Sequence, residues 1–217
     1  MLVLLDLSAA FDTVDHGILL ERLQVTFGVD NSALGWFRSY LAGRRQHVRC
    51  GGKRSALSDV ICGVPQGSVL GPILFILYIA DLASIVADHR LSLHQYTDDS
   101  QIYGFCQSHA TSSLSNTVPQ CVDSISKWMR SNRLQLNADK TEVMWCSSTG
   151  KLSHATTQLF VVCCWCTLVC HVNSVRDLGV FIDNDLGAAT HVRRTVSCCF
   201  GSFVTFVGTS PMTVCVP

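Results

Sequence analysis

Residues 91–105, L-S-L-H-Q-Y-T-D-D-S-Q-I-Y-G-F, decide the fold of this chain. Two runs that contain apolar residues, Leu91–Tyr96 and Gln101–Phe105, have the length and composition of short β-strands. The four polar residues between them are of types that favour turns. The pattern predicts a hairpin that carries two adjacent carboxylates, Asp98 and Asp99, at its tip.

An earlier apolar run brings a third carboxylate. Met1–Leu7 reads M-L-V-L-L-D-L and predicts a buried strand with Asp6 at its C-terminal end. Carboxylates that meet at the ends of two strands repel one another unless cations lie between them. Their oxygens are the ligands that Mg²⁺ prefers, and a pair of such ions about 3.5–4 Å apart promotes phosphoryl transfer.

Helical patterns and further strands surround these two segments. The spacing of an amphipathic helix is found at Val118, Cys121, Val122, Ile125, Trp128 and Met129. Other helices are predicted from a cap at Asp15 to about Phe27, from Asn31 or Ser32 to about Gly43, and over Val69–Ile79 after a cap at Ser68. Strands are predicted at Gln46–Cys50 and Lys53–Ile61 around the turn Gly51-Gly52, at Thr141–Cys146 and at Val175–Ile182. Because the strands form hairpins rather than βαβ units, we expect an α+β fold.

The composition is that of a folded domain with an apolar core. Of the 217 residues, 48% are hydrophobic and 15% are charged, which excludes a disordered polar chain. The formal net charge is zero, whereas domains that bind nucleic acid usually have a basic surface. Six basic residues nevertheless lie within one 17-residue stretch, namely Arg38, Arg44, Arg45, Arg49, Lys53 and Arg54. That stretch is either a contact for a phosphate backbone or a solvated basic face.

No segment predicts export or membrane insertion. The first residues lack the basic flank of a secretory signal, and the apolar stretches Val69–Ala80 and Leu159–Cys170 fall short of the roughly 20 residues that span a bilayer. We therefore expect an intracellular protein, nuclear or cytoplasmic, without a membrane partner. Five residues that resemble metal ligands are Cys163, Cys164, Cys166, Cys170 and His171. Their spacing matches no tetrahedral zinc site, so we expect buried thiols or sequence that has drifted.

Five segments resemble, in order, motifs A to E of the reverse transcriptases of non-LTR (LINE-type) retrotransposons. They are L-L-D-L-S-A-A-F-D (Leu4–Asp12), G-V-P-Q-G-S-V-L-G-P-I-L-F (Gly63–Phe75), Y-T-D-D (Tyr96–Asp99), N-R-L-Q-L-N-A-D-K-T-E (Asn132–Glu142) and V-R-D-L-G-V-F-I-D (Val175–Asp183). The resemblance implies a polymerase palm, a ferredoxin-like antiparallel sheet packed on helices, with fingers and thumb largely missing. It implies a truncated palm domain over residues 1–200, and we expect low order in the aperiodic tail, residues 201–217.

The resemblance also implies roles for the acidic residues. Asp6, Asp98 and Asp99 match the catalytic carboxylates that bind two Mg²⁺ ions, which Mn²⁺ can replace. The backbone carbonyl of Leu7 would complete the coordination shell of one ion. For Asp99 the alternative is a simple turn residue, since aspartate favours turns on its own account.

Four further residues are implied to bind the nucleotide. Phe11 matches the aromatic residue that lies under the incoming sugar and excludes a 2′-hydroxyl by clash, and the alternative is an ordinary core residue. Gln66 and Gly67 match residues that contact the nucleotide, although a glycine there could equally serve a turn. Lys140 matches a lysine that neutralises or protonates pyrophosphate, and the alternative is a solvated lysine. Asp12 gains no role from the resemblance and is interpreted as a turn residue.

The implied function is RNA-directed DNA polymerisation, with an RNA template, a DNA primer and dNTPs as partners. Arg38, Arg44, Arg45 and Arg49 are the expected nucleic-acid contacts. Thr97 departs from the pattern, since LINE-type enzymes usually have alanine there, and it adds bulk beside the primer terminus. Two alternatives stay open: a non-catalytic module that binds nucleic acid or protein, and an inactive remnant of a retroelement. The sequence also leaves the oligomeric state open.

Overall fold

The computed structural model describes residues 1–147, 160–162, 167–169 and 171–209. The chain divides into two compact units. The first comprises Met1–Val143 with Leu159–Cys170, and the second comprises Met144–Gln158 with His171–Pro217.

Helices and hairpins alternate along the chain, as expected for a mixed fold of helices and sheets. The helices are α1 (His16–Val25), α2 (Asn31–Leu41), α3 (Leu70–Tyr78), α4 (Leu82–Asp88), α5 (Thr111–Ser131) and α6 (Ala189–Thr209). The strands are β1 (Leu2–Leu5), β2 (Arg45–Gln46), β3 (Arg49–Cys50), β4 (Lys53–Arg54), β5 (Ser58–Asp59), β6 (Ser92–Tyr96), β7 (Asp99–Tyr103), β8 (Glu142–Met144), β9 (Phe160–Val162), β10 (Thr167–Val169), β11 (Ser174–Asp177) and β12 (Val180–Asp183). Short 3₁₀ helices cover Ala10–Asp12, Ser108–Ala110 and Ala138–Lys140.

A four-stranded sheet in the order β6-β7-β1-β8 organises the first unit. β1 pairs antiparallel with β7, and its last residue, Leu5, lies opposite Ser100. β6 and β7 form the predicted hairpin, in which Tyr96 pairs with Asp99. The turn therefore contains two residues instead of the four that the sequence indicated. This topology places the C-terminal end of β1 beside the hairpin turn.

One face of this sheet is buried. The side chains of Val3, Leu5 and Ile102 are 0%, 3% and 0% exposed. Fully buried residues from α3, α4 and α5 complete the core, namely Leu74, Phe75, Tyr78, Leu82, Val122, Ile125 and Met129. Each such side chain contributes about 1.5–3 kcal/mol through burial. The amphipathic pattern thus identified α5 correctly, although the helix extends beyond it at both ends.

Acidic caps begin the first two helices. The Asp15 carboxylate accepts hydrogen bonds from the backbone N–H groups of Gly17 and Ile18 at 2.9 and 3.0 Å, which confirms the predicted cap of α1. The cap of α2 is Asp30, which accepts a hydrogen bond from the Asn31 N–H at 2.6 Å. The sequence prediction started this helix slightly late, because three successive residues of capping types occur there and only geometry selects one.

Residues Leu70–Asp88 are long and apolar enough, by those two criteria alone, to cross a membrane. The stretch is divided in two, because α3 ends at Tyr78 and α4 begins at Leu82. Its inward-facing side chains are fully buried against the rest of the first unit. The sequence predicted α3, whose first turn is held by a hydrogen bond from the Gly71 N–H to Ser68 Oγ at 3.0 Å, but it did not predict α4.

Residues 44–60 form a two-stranded ribbon that we call the basic arm. β2 pairs with β5 at its base, and β3 pairs with β4 at its tip. The turn at Gly51 and Gly52 has φ values of 55° and 78°, and positive φ at both central residues is what a type I′ turn requires. The predicted hairpin around these two glycines is confirmed. Every residue from 45 to 59 is exposed.

The second unit contains a hairpin, β11 and β12, and helix α6. Asp183 is the last residue of β12, and its Oδ2 accepts a hydrogen bond from the Thr190 N–H in the first turn of α6 at 2.9 Å. Hydrogen bonds from Thr190 lower the pKa of Asp183. α6 continues to Thr209, across the domain boundary expected at residue 200 and into the segment for which we expected low order. Residues 210–217 and the four cysteines Cys163, Cys164, Cys166 and Cys170 lie outside the described residues.

Candidate active site

Three carboxylates predicted to act together lie at one end of the sheet. Asp6 directly follows β1, and the register that sets Leu5 opposite Ser100, continued by one residue, sets Asp6 opposite Asp99. Asp98 lies in the adjacent two-residue turn. Because side chains alternate along a strand, Asp6 and Asp99 lie on the face opposite to buried Leu5.

The environment of Asp6 is unusual for a carboxylate. Its Oδ2 is buried and accepts no hydrogen bond, whereas buried polar atoms almost always have a partner. The ammonium of Lys140 lies 3.4 Å from this oxygen, close enough for an ion pair. The Lys140 side chain is 67% exposed, so the pair is screened by solvent and compensates little for the missing hydrogen bonds. This oxygen is open to a stronger cationic partner.

Backbone pairing fixes the segment that follows Asp6. Two hydrogen bonds of 2.9 Å flank Leu7, one from the Ser8 N–H to the Gln135 carbonyl and one from the Asn137 N–H to the Asp6 carbonyl. In an antiparallel pair of this kind, the central residue directs its own N–H and C=O to the opposite edge. The Leu7 carbonyl is therefore directed toward the side on which β1 meets β7 and the hairpin turn.

Gly63 anchors the loop before α3 to the segment that follows Asp6. Its N–H donates to the Val14 carbonyl at 2.7 Å, and the Val64 N–H donates to the Phe11 carbonyl at 2.8 Å. Gly63 has a φ of 87°, and a Cβ added to it would lie 3.0 Å from the Asp12 carbonyl oxygen. Only glycine combines that conformation with so close an approach. Sequence reasoning did not single out Gly63, although the G-x-P-x-G pattern contains it.

Three of the four residues expected to bind the nucleotide lie in these two anchored segments. The Phe11 ring is half-buried and lies 5.1 Å from the ring of fully buried Phe75. Gln66 Nε2 donates a hydrogen bond to Asp12 Oδ1 at 3.0 Å. Asp12, which the sequence indicated only as a turn residue, thus holds Gln66. Gly67 has a φ of 74° and open space where a side chain would extend, so its conformation alone favours glycine.

The hairpin turn contains a strained residue. Thr97 has a φ of 59°, in the left-handed region that β-branched residues rarely adopt. Such a conformation costs about 1–2 kcal/mol and occurs where the surrounding structure imposes it. The pairing of Tyr96 with Asp99 imposes it here. The turn therefore holds Asp98 in a conformation set by the sheet.

The site fits a magnesium ion bound partly by substrate. Across the described residues, no three His, Cys, Asp or Glu side chains form a ready-made metal cage. Mg²⁺ does not need one, since it is commonly bound by one or two carboxylates together with water and substrate phosphates. Asp6 Oδ2, which accepts no hydrogen bond and faces only a solvent-screened ammonium, and the direction of the Leu7 carbonyl suit that mode of binding.

The expected nucleic-acid contacts do not lie on one element. Arg38 is in the last turn of α2, whereas Arg44, Arg45 and Arg49 belong to the basic arm. Arg45 is already paired with Asp59, with Nε 3.1 Å from Oδ1. The structure thus separates one helical arginine from a cluster on the ribbon.

Comparisons with known proteins identify a family and relatives of this chain. A family model for "Reverse transcriptase (RNA-dependent DNA polymerase)" matches residues 1–182. The RNA-directed DNA polymerase from mobile element jockey of Drosophila melanogaster is 25% identical over 194 residues, which cover 87% of this chain and 20% of that protein. The probable RNA-directed DNA polymerase from transposon BS of the same species is 28% identical over 203 residues, which cover 91% of this chain and 22% of that protein. The chain therefore spans about a fifth of the length of these curated relatives.

Two solved structures share the fold. Apo telomerase from Candida tropicalis, truncated from its C-terminal domain, aligns with a TM-score of 0.56 over 86% of this chain and 34% of that one. Telomerase from Candida albicans, in complex with a TWJ fragment of telomeric RNA, aligns with a TM-score of 0.55 over 85% of this chain and 30% of that one. Sequence identity is 16% in both cases, so the likeness concerns the fold alone.

Proposed function

Because this chain belongs to the reverse transcriptase family, we propose that it is the polymerase palm and extends a DNA primer with dNTPs on an RNA template. The LINE-type relationship predicted from five motifs is confirmed by its similarity to mobile-element polymerases of Drosophila. The palm assignment is supported by the sheet, in which β1 and the β6–β7 hairpin bring their acidic ends together. The activity itself is part of the proposal, since the relatives are about five times longer.

One observation carries the proposal. Asp6 Oδ2 is buried without a hydrogen bond, at the end of the sheet where the hairpin presents Asp98. A protein that used Asp6 only for structure would supply a hydrogen-bond donor to that oxygen. The nearest cation is instead the solvent-screened ammonium of Lys140, and we infer that Asp6 Oδ2 and the Leu7 carbonyl accept a stronger one.

Asp6, Asp98 and Asp99 would hold two Mg²⁺ ions, or Mn²⁺ in their place, together with the Leu7 carbonyl. Bound there, the ions supply the charge that activates the primer 3′-hydroxyl and neutralises the departing pyrophosphate. The protein contributes by holding the carboxylates in position. Asp6 is held through its own backbone carbonyl, and Asp98 through the strained turn at Thr97.

Lys140 serves as the resident partner of Asp6 until cations bind. Its ammonium lies 3.4 Å from Asp6 Oδ2 on a side chain that is 67% exposed. When a metal ion binds Asp6, it neutralises the carboxylate and so weakens the attraction between Asp6 and Lys140. The Lys140 ammonium is then able to bind another anion. Pyrophosphate is that anion, and Lys140 can neutralise it or donate a proton to it.

Phe11, Gln66 and Gly67 form the nucleotide side of the site. The half-buried Phe11 ring, supported from below by Phe75, limits the space for a sugar 2′-hydroxyl. Asp12 accepts from Gln66 Nε2 and so sets the direction of the amide. Gly67 leaves open space where the triphosphate approaches the backbone.

Primer extension on an RNA template tests the proposal. The purified chain is assayed with Mg²⁺ and again with Mn²⁺, as wild type, Asp6→Asn, Asp98→Asn and the control Asp88→Asn, an exposed residue that ends α4. The first two variants should lose more than about 100-fold in rate, since each removes a metal ligand that stabilises developing charge. The control should match the wild type. Equal rates for wild type and Asp98→Asn would contradict the proposal.

A second candidate function is nucleic-acid binding without catalysis. The basic arm supports it, because a cluster of exposed arginines does not depend on an intact catalytic centre. It would be the function of a retroelement remnant whose catalysis has been lost. Binding of a primer–template with no extension by the wild type would favour this candidate over the first.

A further inference from the structure

The basic arm concentrates positive charge on an otherwise acidic chain. Residues 44–60 contain five Lys and Arg residues and one acid, Asp59, which gives the arm a net charge of +4. Since the whole chain has a net charge of zero, the remainder carries −4. Every residue from 45 to 59 is exposed, so the charged side chains of these residues are in contact with solvent. An isolated charged ribbon of this kind attracts a partner of opposite sign.

At the tip of the arm, two positively charged side chains lie opposite each other. β3 and β4 pair with Arg49 directly opposite Arg54, so their side chains leave the same face with Cβ atoms about 4.5–5.5 Å apart. Among the described residues, neither guanidinium has an acidic partner. At the base of the arm, by contrast, Arg45 lies opposite Asp59 and is paired with it at 3.1 Å. Like charges directly opposite each other destabilise a ribbon. An anion bound between Arg49 and Arg54 would therefore remove a repulsion that is already present in the free protein.

The turn leaves this pair accessible. Gly51 and Gly52 have no side chains to shield the tip, and their positive φ values keep the two strands adjacent. Below the tip, the Val48 N–H donates to Ser55 Oγ at 2.9 Å, and the Ser55 N–H donates to the Val48 carbonyl at 2.9 Å. These bonds hold the ribbon together just beneath the arginines. The two guanidiniums therefore start from a backbone that is already ordered.

We propose that Arg49 and Arg54 together clamp a backbone phosphate of the RNA–DNA primer–template duplex. This inference rests on the proposed function for the identity of the duplex. Guanidinium forks match phosphate oxygens in a way that a lysine ammonium does not. A-form duplexes are recognised mostly by their shape and by contacts with phosphates and 2′-hydroxyls, so we expect the clamp to contact the backbone and to be independent of base sequence.

The proposal ranks the arginines, which sequence alone treated alike. Arg49 and Arg54 carry the contact, because their charges are uncompensated and face one another. Arg45 contributes little, since Asp59 neutralises it, and Arg38 lies on α2 rather than on the arm. Arg54, which belongs to the basic stretch but was not one of the four arginines named as expected contacts, becomes one of the two principal residues.

Anisotropy of a labelled RNA–DNA hybrid, titrated with the full chain at about 50 to about 300 mM salt, tests this ranking. Arg49→Gln and Arg54→Gln should each weaken binding several-fold and together lower the slope of log affinity against log salt by about 1, the value for one lost phosphate. Arg54→Lys should fall between Arg54→Gln and wild type, since it keeps charge but loses the fork. Arg45→Gln, the matched control, should stay within about twofold of wild type.

Several outcomes overturn the clamp. The clamp is rejected if the wild type fails to bind the hybrid, or if Arg49→Gln and Arg54→Gln bind it as tightly as the wild type. It is also rejected if Arg45→Gln loses as much affinity as these two variants. Displacement of the hybrid by polyglutamate at equal charge concentration would reassign the tip to an acidic protein. Asp98→Asn separates the two proposals, because it should lose extension but bind normally. Tip-dependent binding with no extension by wild type would reject the polymerase and retain the clamp.

Discussion

The two charged regions of the first unit, the end of the sheet and the basic arm, are built in opposite ways. The sheet end takes its residues from distant segments and joins them by backbone hydrogen bonds of 2.7–2.9 Å. The basic arm is a local structure, complete within residues 44–60 and exposed from 45 to 59. The first region fixes positions, whereas the second region supplies charge.

The difference follows from what each proposed role requires. Carboxylates that act on a reacting phosphate need placement within about 0.5 Å, which only a packed and hydrogen-bonded surrounding provides. A contact with a nucleic-acid backbone needs charge and access, and it tolerates an exposed ribbon. Substitutions should therefore have large effects on stability at the sheet end and small ones on the arm.

The largest contrast is expected between Phe75→Ala and Val48→Ala. Phe75 is 0% exposed and supports Phe11, whereas Val48 on the arm is 71% exposed. Phe75→Ala should lower the free energy of unfolding by about 3–5 kcal/mol through lost burial and an unfilled cavity. Val48→Ala should change it by less than about 0.5 kcal/mol. Denaturant titration followed by circular dichroism measures both, and similar losses would mean that the arm packs against the unit.

Two ion pairs of similar length give the next contrast. Arg22 lies 2.9 Å from Asp81 with its side chain 10% exposed, and Arg45 lies 3.1 Å from Asp59 with its side chain 65% exposed. The Arg22 guanidinium also donates to Asn132 Oδ1 at 3.0 Å. Arg22→Gln should cost about 2–3 kcal/mol, somewhat less than a fully buried pair because Asp81 is partly solvated.

Arg45→Gln should cost less than about 0.5 kcal/mol, since solvent screens an exposed pair. The same denaturant titration measures both variants at low and high salt. Only the Arg45 effect should fall further as salt rises. Equal costs for the two variants would show that the arm is less solvated than its exposure indicates.

The same division explains what the sequence could and could not predict. The Asp15 cap and the Gly51-Gly52 turn are local patterns, and both were found. The bond between Asp12 and Gln66 joins residues 54 positions apart, and no local pattern encodes such a partner. The pairing of Leu7 with Leu136 was missed for the same reason.

At the sheet end, the carboxylates could be named from strand ends and motifs, but the hydrogen bonds that hold them could not. The short helix α4, only seven residues long, gave too little periodicity to detect. The start of α2 was ambiguous because adjacent residues were all suitable caps. On the arm, composition identified the basic residues, but only strand register distinguished the paired Arg45 from the opposed Arg49 and Arg54.

A matched pair of glycines separates conformation from close packing. Gly63 and Gly51 both have positive φ, 87° and 55°, but only Gly63 has backbone atoms within 3.0–3.1 Å of an added Cβ. Gly51→Ala should cost about 1 kcal/mol for the left-handed conformation alone. Gly63→Ala should cost about 2 kcal/mol, because the Asp12 and Phe11 backbone must also move. Thermal unfolding of both variants measures the difference, and equal costs would mean that the loop at Gly63 yields freely.

The smallest effect is expected at the tip of the arm, and it has the opposite sign. Arg54→Gln removes a charge that faces Arg49 across the ribbon, so it should stabilise the free protein by about 0.2–0.5 kcal/mol at low salt. The gain should vanish at about 1 M salt, where the Debye length is roughly 3 Å. Paired denaturant titrations of wild type and variant at the two salt concentrations resolve it, with Arg45→Gln as the variant that loses stability instead. This sign is expected for a residue that weakens the free protein and strengthens the proposed complex. A stability loss in Arg54→Gln at low salt would instead mean that the two arginines already share an anionic partner within the chain.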